Sequence, residues 1–181
     1  AALLGYRKIP VLIQPMSYED AVVKMVDTNL HREHISFSEK AFAYRMKNEA
    51  LKQKVGRKKG QSGQQKKGKK TIEIIGEEFG DSPKQVQRYI AVTRLIPELL
   101  QKLDQEEISF NPAVEISALT KEEQRELLEA MNYAQSTPSV SQAQRIKKLS
   151  KAGELTKKHM EDILSEIKKG EVTRVEFNNA Q

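Results

Sequence analysis

The sequence predicts a mainly α chain: a small α/β remnant at the N-terminus, then an all-helical region built on a helix-turn-helix. Three observations carry that expectation. Apolar residues recur at helical spacing between well-formed start and stop signals. One short, apolar, β-branched run lies near the N-terminus. The 181 residues are 31% charged and only 6% aromatic, with no Trp, a composition that suits much exposed helix better than a dense β-sandwich. The length allows one ordinary domain or two small ones.

From the N-terminus, Ala1-Ala2-Leu3-Leu4 reads as the last turn of a helix closed by Gly5 at C′, as in a chain cut from a longer one. Ile9-Pro10-Val11-Leu12-Ile13 reads as a buried strand between Gly5 and Pro15. Ser17 with Asp20 three residues on has the form of a capping box, and Ala21, Val22, Met25 and Val26 keep helical spacing after it. Ser36 and Glu39 form a second capping box, and Phe37, Ala41, Tyr44, Ala50 and Leu51 give the next helix an apolar stripe up to Val55-Gly56.

Further on, Thr71 is placed to cap a helix reaching Phe79, Gly80-Asp81 makes a turn, and Ser82-Pro83 supplies an N-cap with Pro at N1. That helix is expected to run to about Arg94. Later helices are predicted over 98–103, 111–118, 121–131, 141–152 and 157–169, with Thr120 and Thr156 as N-caps and Gly153 and Gly170 as breakers. Residues 172–177 read as a short strand or a tail. No repeat of fixed period is present.

The net charge of +6 is concentrated. Residues 52–70 hold nine Lys or Arg and no acid, so the rest of the chain carries a small net negative charge. Residues 55–70 combine Gly, Ser, Gln and Lys with almost nothing apolar, the composition of a flexible linker. Two readings stand: a solvated tether, or a phosphate-seeking arm in which Lys66, Lys67, Lys69 and Lys70 add salt-dependent affinity for nucleic acid. The absence of Cys excludes disulfides, zinc ribbons and thiol catalysis, and suits an intracellular compartment. No apolar run approaches the roughly 18 residues of a membrane span.

The pattern with the sharpest chemistry is "TIEIIGEEFGDSPKQVQRYIAVTRL". A small residue, Gly76, sits where the two helices must meet, Gly80 follows four later at the turn, and Val86 follows six after that, the spacing a helix-turn-helix requires. Ile75, Phe79, Val86 and Tyr89 fall inward. Ser82, Pro83, Lys84, Gln85, Gln87 and Arg88 are left at the front of the second helix, where Arg and Lys suit guanine edges or phosphate and Gln suits an adenine edge. The plainer alternative is an αα-hairpin with a solvated polar face. Lys147 and Lys148, on a helix entered through residues 136–145, pose the same choice between a second DNA-facing surface and a solvated helix.

Four stretches in order, "LLGYRKIPVLI", "TNLHREHISFSEKAFAYRM", "IIGEEFGDSPKQVQRYIAVTRLIPELL" and "ISFNPAVEISAL", resemble the ParB partition-protein family, in particular its plasmid and mobile-element members. The resemblance implies a nucleotide-binding N-terminal domain that takes CTP with a divalent metal such as Mg²⁺, and a helix-turn-helix domain that recognises a palindromic, centromere-like DNA site as a homodimer. It also implies a partner ATPase of the ParA type and a cytoplasmic, nucleoid- or plasmid-associated location. The family's Glu-Asn-x-Gln-Arg box aligns with Thr28-Asn29-Leu30-His31-Arg32, which carries Thr28, Asn29 and Arg32 over as nucleotide-binding and offers Asn29 to a metal. Its Glu stands here as Thr28 and its Gln as His31. The family's Gly-x-Arg-Arg box would precede Ala1.

On this resemblance residues 1–55 are the end of the nucleotide domain with its connecting helix, 56–70 a basic linker, 71–170 the DNA-binding domain and 171–181 a tail. Two other functions stay open: a transcriptional regulator of a mobile element that lacks the nucleotide switch, and an enzyme of the same N-terminal fold, a kinase or a sulfiredoxin-like reductase, using His31, Arg32 and His34.

Overall fold

A computed structural model describes residues 12–30, 35–58 and 70–166. Among these residues every regular element is a helix, and there are nine: α1 (Tyr18–Leu30), α2 (Phe37–Lys58), α3 (Thr71–Phe79), α4 (Pro83–Val92), α5 (Pro97–Asp104), α6 (Phe110–Ile116), α7 (Lys121–Ala134), α8 (Val140–Ala152) and α9 (Lys157–Leu164). None of them is long and apolar enough to cross a membrane.

Start signals in the sequence correspond to real caps. The Ser17 hydroxyl accepts the Asp20 N–H at 3.1 Å and opens α1. Ser36 and Glu39 satisfy each other's backbone N–H at 3.2 and 3.0 Å before α2. Ser82, Thr120, Ser139 and Thr156 cap α4, α7, α8 and α9 through the N–H of the third residue on. Gly80 and Gly153 take the left-handed conformation at the ends of α3 and α8, with φ of 72° and 71°.

The structure corrects five expectations. The last helix, expected over 157–169, ends at Leu164, where the Ser165 N–H closes on Glu161 O. Leu12 and Ile13, placed in a buried strand, lie in irregular backbone and are 83% and 88% exposed; no strand stands beside them among the described residues to complete a ladder. Residues 9–11 of that run lie outside the described residues. Thr71 is the first helical residue of α3 rather than its cap: Lys70 holds the cap position, with its N–H given to the Glu73 carboxylate at 3.0 Å, and the Thr71 hydroxyl donates instead to Asn48 Oδ1 at 2.5 Å. α4 stops at Val92, two residues short of Arg94, because the Arg94 and Leu95 N–H groups turn back to Ala91 and Val92 and lead the chain into Pro97. α2 continues through Lys58, into the stretch read as linker, since Lys and Arg favour helix and one Gly costs only about 1 kcal/mol. Gly170 and residues 172–177 lie outside the described residues.

A single core runs through the molecule, from Ala41 and Tyr44 of α2 through Ile75, Val86, Leu99 and Leu103 to Leu127, Ile146 and Met160. Where it passes irregular backbone, buried amides close the gaps. Gln124 of α7 accepts the Ile96 N–H at 2.8 Å and donates to Leu119 O at 3.0 Å, so the turn before α5 needs no water. Gln142 of α8 accepts the Ser139 N–H at 2.9 Å and donates to Ile163 O at 2.6 Å, fastening the end of α9.

Candidate nucleic-acid interface

α3 and α4 meet through a glycine that has no substitute. Gly76 is buried, and a Cβ added there would stand 2.3 Å from the Asp81 carbonyl oxygen. The Asp81 N–H returns to Gly76 O at 2.9 Å, so the turn is folded flat against the helix it leaves. Ile75 and Val86 are fully buried at the contact, Tyr89 is nearly so, and Phe79 packs partly buried beside them.

α2 lies across this hairpin and fixes its turn. The Tyr44 hydroxyl donates to Asp81 Oδ2 at 2.6 Å, and the Lys40 ammonium reaches the same oxygen at 2.8 Å. Burial works to raise the Asp81 carboxyl, but the bonds from Lys40 and Tyr44 outweigh it and hold it below the ordinary value. Burial, then the bond to Asp81, pushes the Tyr44 phenol well up, so it stays a donor. One turn further along α2, the buried Lys47 ammonium bonds Asp27 of α1 and Glu78 of α3 at once and sits 4.7 Å from the Phe79 ring centre. Three successive helices are thereby tied through one cation.

With the turn fixed, the first residues of α4 face outward. Ser82, Pro83, Lys84 and Gln87 are exposed, while Gln85 and Arg88 are half-buried. The Arg88 guanidinium is held: it donates to Gln85 Oε1 at 3.0 Å and to Asn111 Oδ1 of α6, and lies 5.1 Å from the Phe110 ring centre. Phe110 in turn packs on Tyr89 at 4.7 Å and stacks on Phe37 at 5.6 Å, centre to centre. Gln85 and Arg88 thus stand side by side, one amide and one guanidinium, on a floor of rings. Lys66, Lys67 and Lys69 lie outside the described residues; Lys70 is exposed at the start of α3.

The residues carried over toward a nucleotide divide differently. Asn29 is on α1 and faces a cleft of about 330 Å³ between α1 and α2, with Met25, Phe42 and Met46 around it. Thr28 is exposed, and its hydroxyl donates to Met25 O at 2.9 Å. Arg32, His31 and His34 lie outside the described residues. Among the described residues the cleft's walls are largely apolar, and the one charged side chain, Glu39, is a carboxylate engaged in the Ser36 cap. Such walls supply no cation to a triphosphate and no free carboxylate to a metal, so the described side chains around Asn29 do not fit a nucleotide–Mg²⁺ complex. Among the described residues no three His, Asp or Glu cluster closely enough to hold a metal ion.

Sequence reading missed Lys40, Lys47, Asn48, Asp81, Phe110 and Asn111. Their signal was available in part: Lys40, Tyr44 and Lys47 share one face of α2 by their spacing of four and three. A stripe counted by apolar residues alone passes over two of the three.

No protein-family model matches the chain, and no curated protein matches it either.

Proposed function

We propose that the chain is a sequence-specific, duplex-DNA-binding protein of the ParB type, which sets α4 into the major groove of a palindromic site as a homodimer. The observation that carries the reading is the pairing of a turn that admits only glycine at position 76 with an α4 whose outward residues are polar and basic. Ordinary solvated hairpins need neither. Gln85 and Arg88 are the base-reading pair, with adenine and guanine edges as their natural partners. Lys84 and Gln87 flank them, and Lys70 with the linker lysines meets phosphate.

Within this reading, DNA binding without a nucleotide switch is favoured over a CTP-driven clamp by the apolar cleft at Asn29. On this reading the chain acts as a DNA-binding regulator of a mobile element in preference to a chromosomal partition clamp. Addition of CTP and Mg²⁺ should then leave the lifetime of the DNA complex unchanged; a change would restore the clamp.

The test is selection of bound sequences from a random duplex pool. A palindrome is expected, and recovery without sequence preference would overturn the reading. With the selected site in hand, Arg88→Ala should cost about 1–3 kcal/mol of specific affinity and far less of non-specific affinity. Equal losses on both would remove Arg88 from base reading.

A further inference from the structure

We infer that the cleft between the end of α2, the start of α3 and the end of α4 is a seat for the phosphodiester backbone of the bound duplex, with Lys52 and Arg94 joining Lys70 as its cations. The inference rests on the DNA reading and adds to it a second contact surface, on residues that neither the motif nor the linker composition singles out.

Several cations that reach another element are answered by a carboxylate: Lys40 by Asp81, Lys54 by Asp20, Lys102 by Glu107, Lys147 by Glu115 and Lys157 by Glu129. Lys52, Lys70 and Arg94 have no such partner, and they are gathered at one place. All three are exposed, all three line one cleft of about 650 Å³, and among the described residues none makes an ion pair. Among the described residues no carboxylate lines the cleft. Three unpartnered cations facing the same space repel one another, an arrangement that an anion relieves.

Position narrows the anion. Gln87, from the exposed side of α4, opens onto the same cleft, and Arg94 follows it seven residues later, two turns along that side of the chain. The cleft is therefore continuous with the surface that faces the groove. Its floor is the Thr71–Asn48 hydrogen bond, and the start of α3 adds the positive end of a helix dipole. Only Ile72 and Ile90 supply apolar wall, with no ring on which a base would stack. Phosphate oxygens meet three cations here and a nucleobase finds no ring to stack on, so the seat takes duplex backbone rather than an unstacked strand.

The experiment measures the affinity of the full chain for a duplex of arbitrary sequence across a salt series. Wild type, Lys52→Gln, Arg94→Gln and the double variant are compared, with Lys157→Gln as a control. Each lost phosphate contact should flatten the slope of log affinity against log salt by about 0.9, and the double variant by about 1.8, with Lys157→Gln unchanged. Melting temperatures of the Lys52 and Arg94 variants should not move, since neither side chain makes an ion pair among the described residues. A double variant with the wild-type slope would overturn the seat and leave the α4 reading standing. Absence of duplex affinity in the wild type would overturn both. Tighter binding of single-stranded RNA, flattened by the same substitutions, would overturn the assignment to duplex DNA.

Discussion

Two helix pairs in this molecule, α3–α4 and α8–α9, are written in nearly the same local language. Each first helix ends on a left-handed glycine, Gly80 or Gly153, and each second helix restarts on a hydroxyl cap, Ser82 or Thr156. They part chiefly in one respect. At α3–α4 the turn lies hard against Gly76, whereas a Cβ on Gly153 would meet nothing within 4 Å. On the outer side, α4 shows Lys84 without an ionic partner among the described residues, while α8 pairs Arg145 with Glu166 and Lys147 with Glu115 and leaves Lys148 and Lys151 exposed. Bonding to Lys147 holds the Glu115 carboxyl below its ordinary value, and the Arg145 guanidinium does the same for Glu166. Local motif chemistry makes both hairpins; what separates the two is the close approach at Gly76.

The largest test of that difference compares glycines. Gly76→Ala should cost about 3 kcal/mol, because the turn must move away from the new methyl, whereas Gly153→Ala meets only the left-handed backbone penalty of about 1 kcal/mol. Urea denaturation of both variants checks it, and equal losses would erase the distinction. A smaller effect is expected from Tyr44→Phe, which leaves Asp81 one donor short and should cost about 1 kcal/mol. Asp81 titrates below its unfolded value in the folded state, so its contribution is present above the ordinary carboxylate range and is lost as pH falls through the depressed folded value. The variant should therefore lose less stability than wild type across that acid limb, read from melting temperature between neutral and acid pH. Smallest of all, Glu166→Gln releases an exposed ion pair on the α8 side and should change neither melting temperature nor duplex affinity measurably. A gain in affinity would mean that α8 is a second basic surface held in check.

Helices, caps and the hairpin were legible because their causes are local: Ser17, Ser36, Ser82, Thr120 and Thr156 each bond within three residues of themselves. Gly76 was legible too, through its spacing to Gly80 and Val86. What escaped depends on which elements meet. Arg88 shows it: its place at the front of α4 followed from periodicity, yet the side chain is held by Asn111 and Phe110, more than twenty residues on. Lys52 was absorbed into a basic stretch and Arg94 into a helix end, and only folding brings them to one cleft. The described end of the expected N-terminal strand departs for the opposite reason. A β-branched run specifies a strand only where a neighbour offers the other half of the ladder, and Leu12 and Ile13 have none among the described residues.

Lys40, Tyr44, Lys47 and Asn48 give α2 a practical consequence for anyone dividing the chain. Cutting at the basic stretch and keeping 71–181 would strip Tyr89 and Phe79 of the Tyr44 ring, Asp81 and Glu78 of their ammonium partners, and Thr71 of its acceptor. The smallest piece worth expressing begins at Ser36, and failure of a shorter one would report a missing wall, not a missing function.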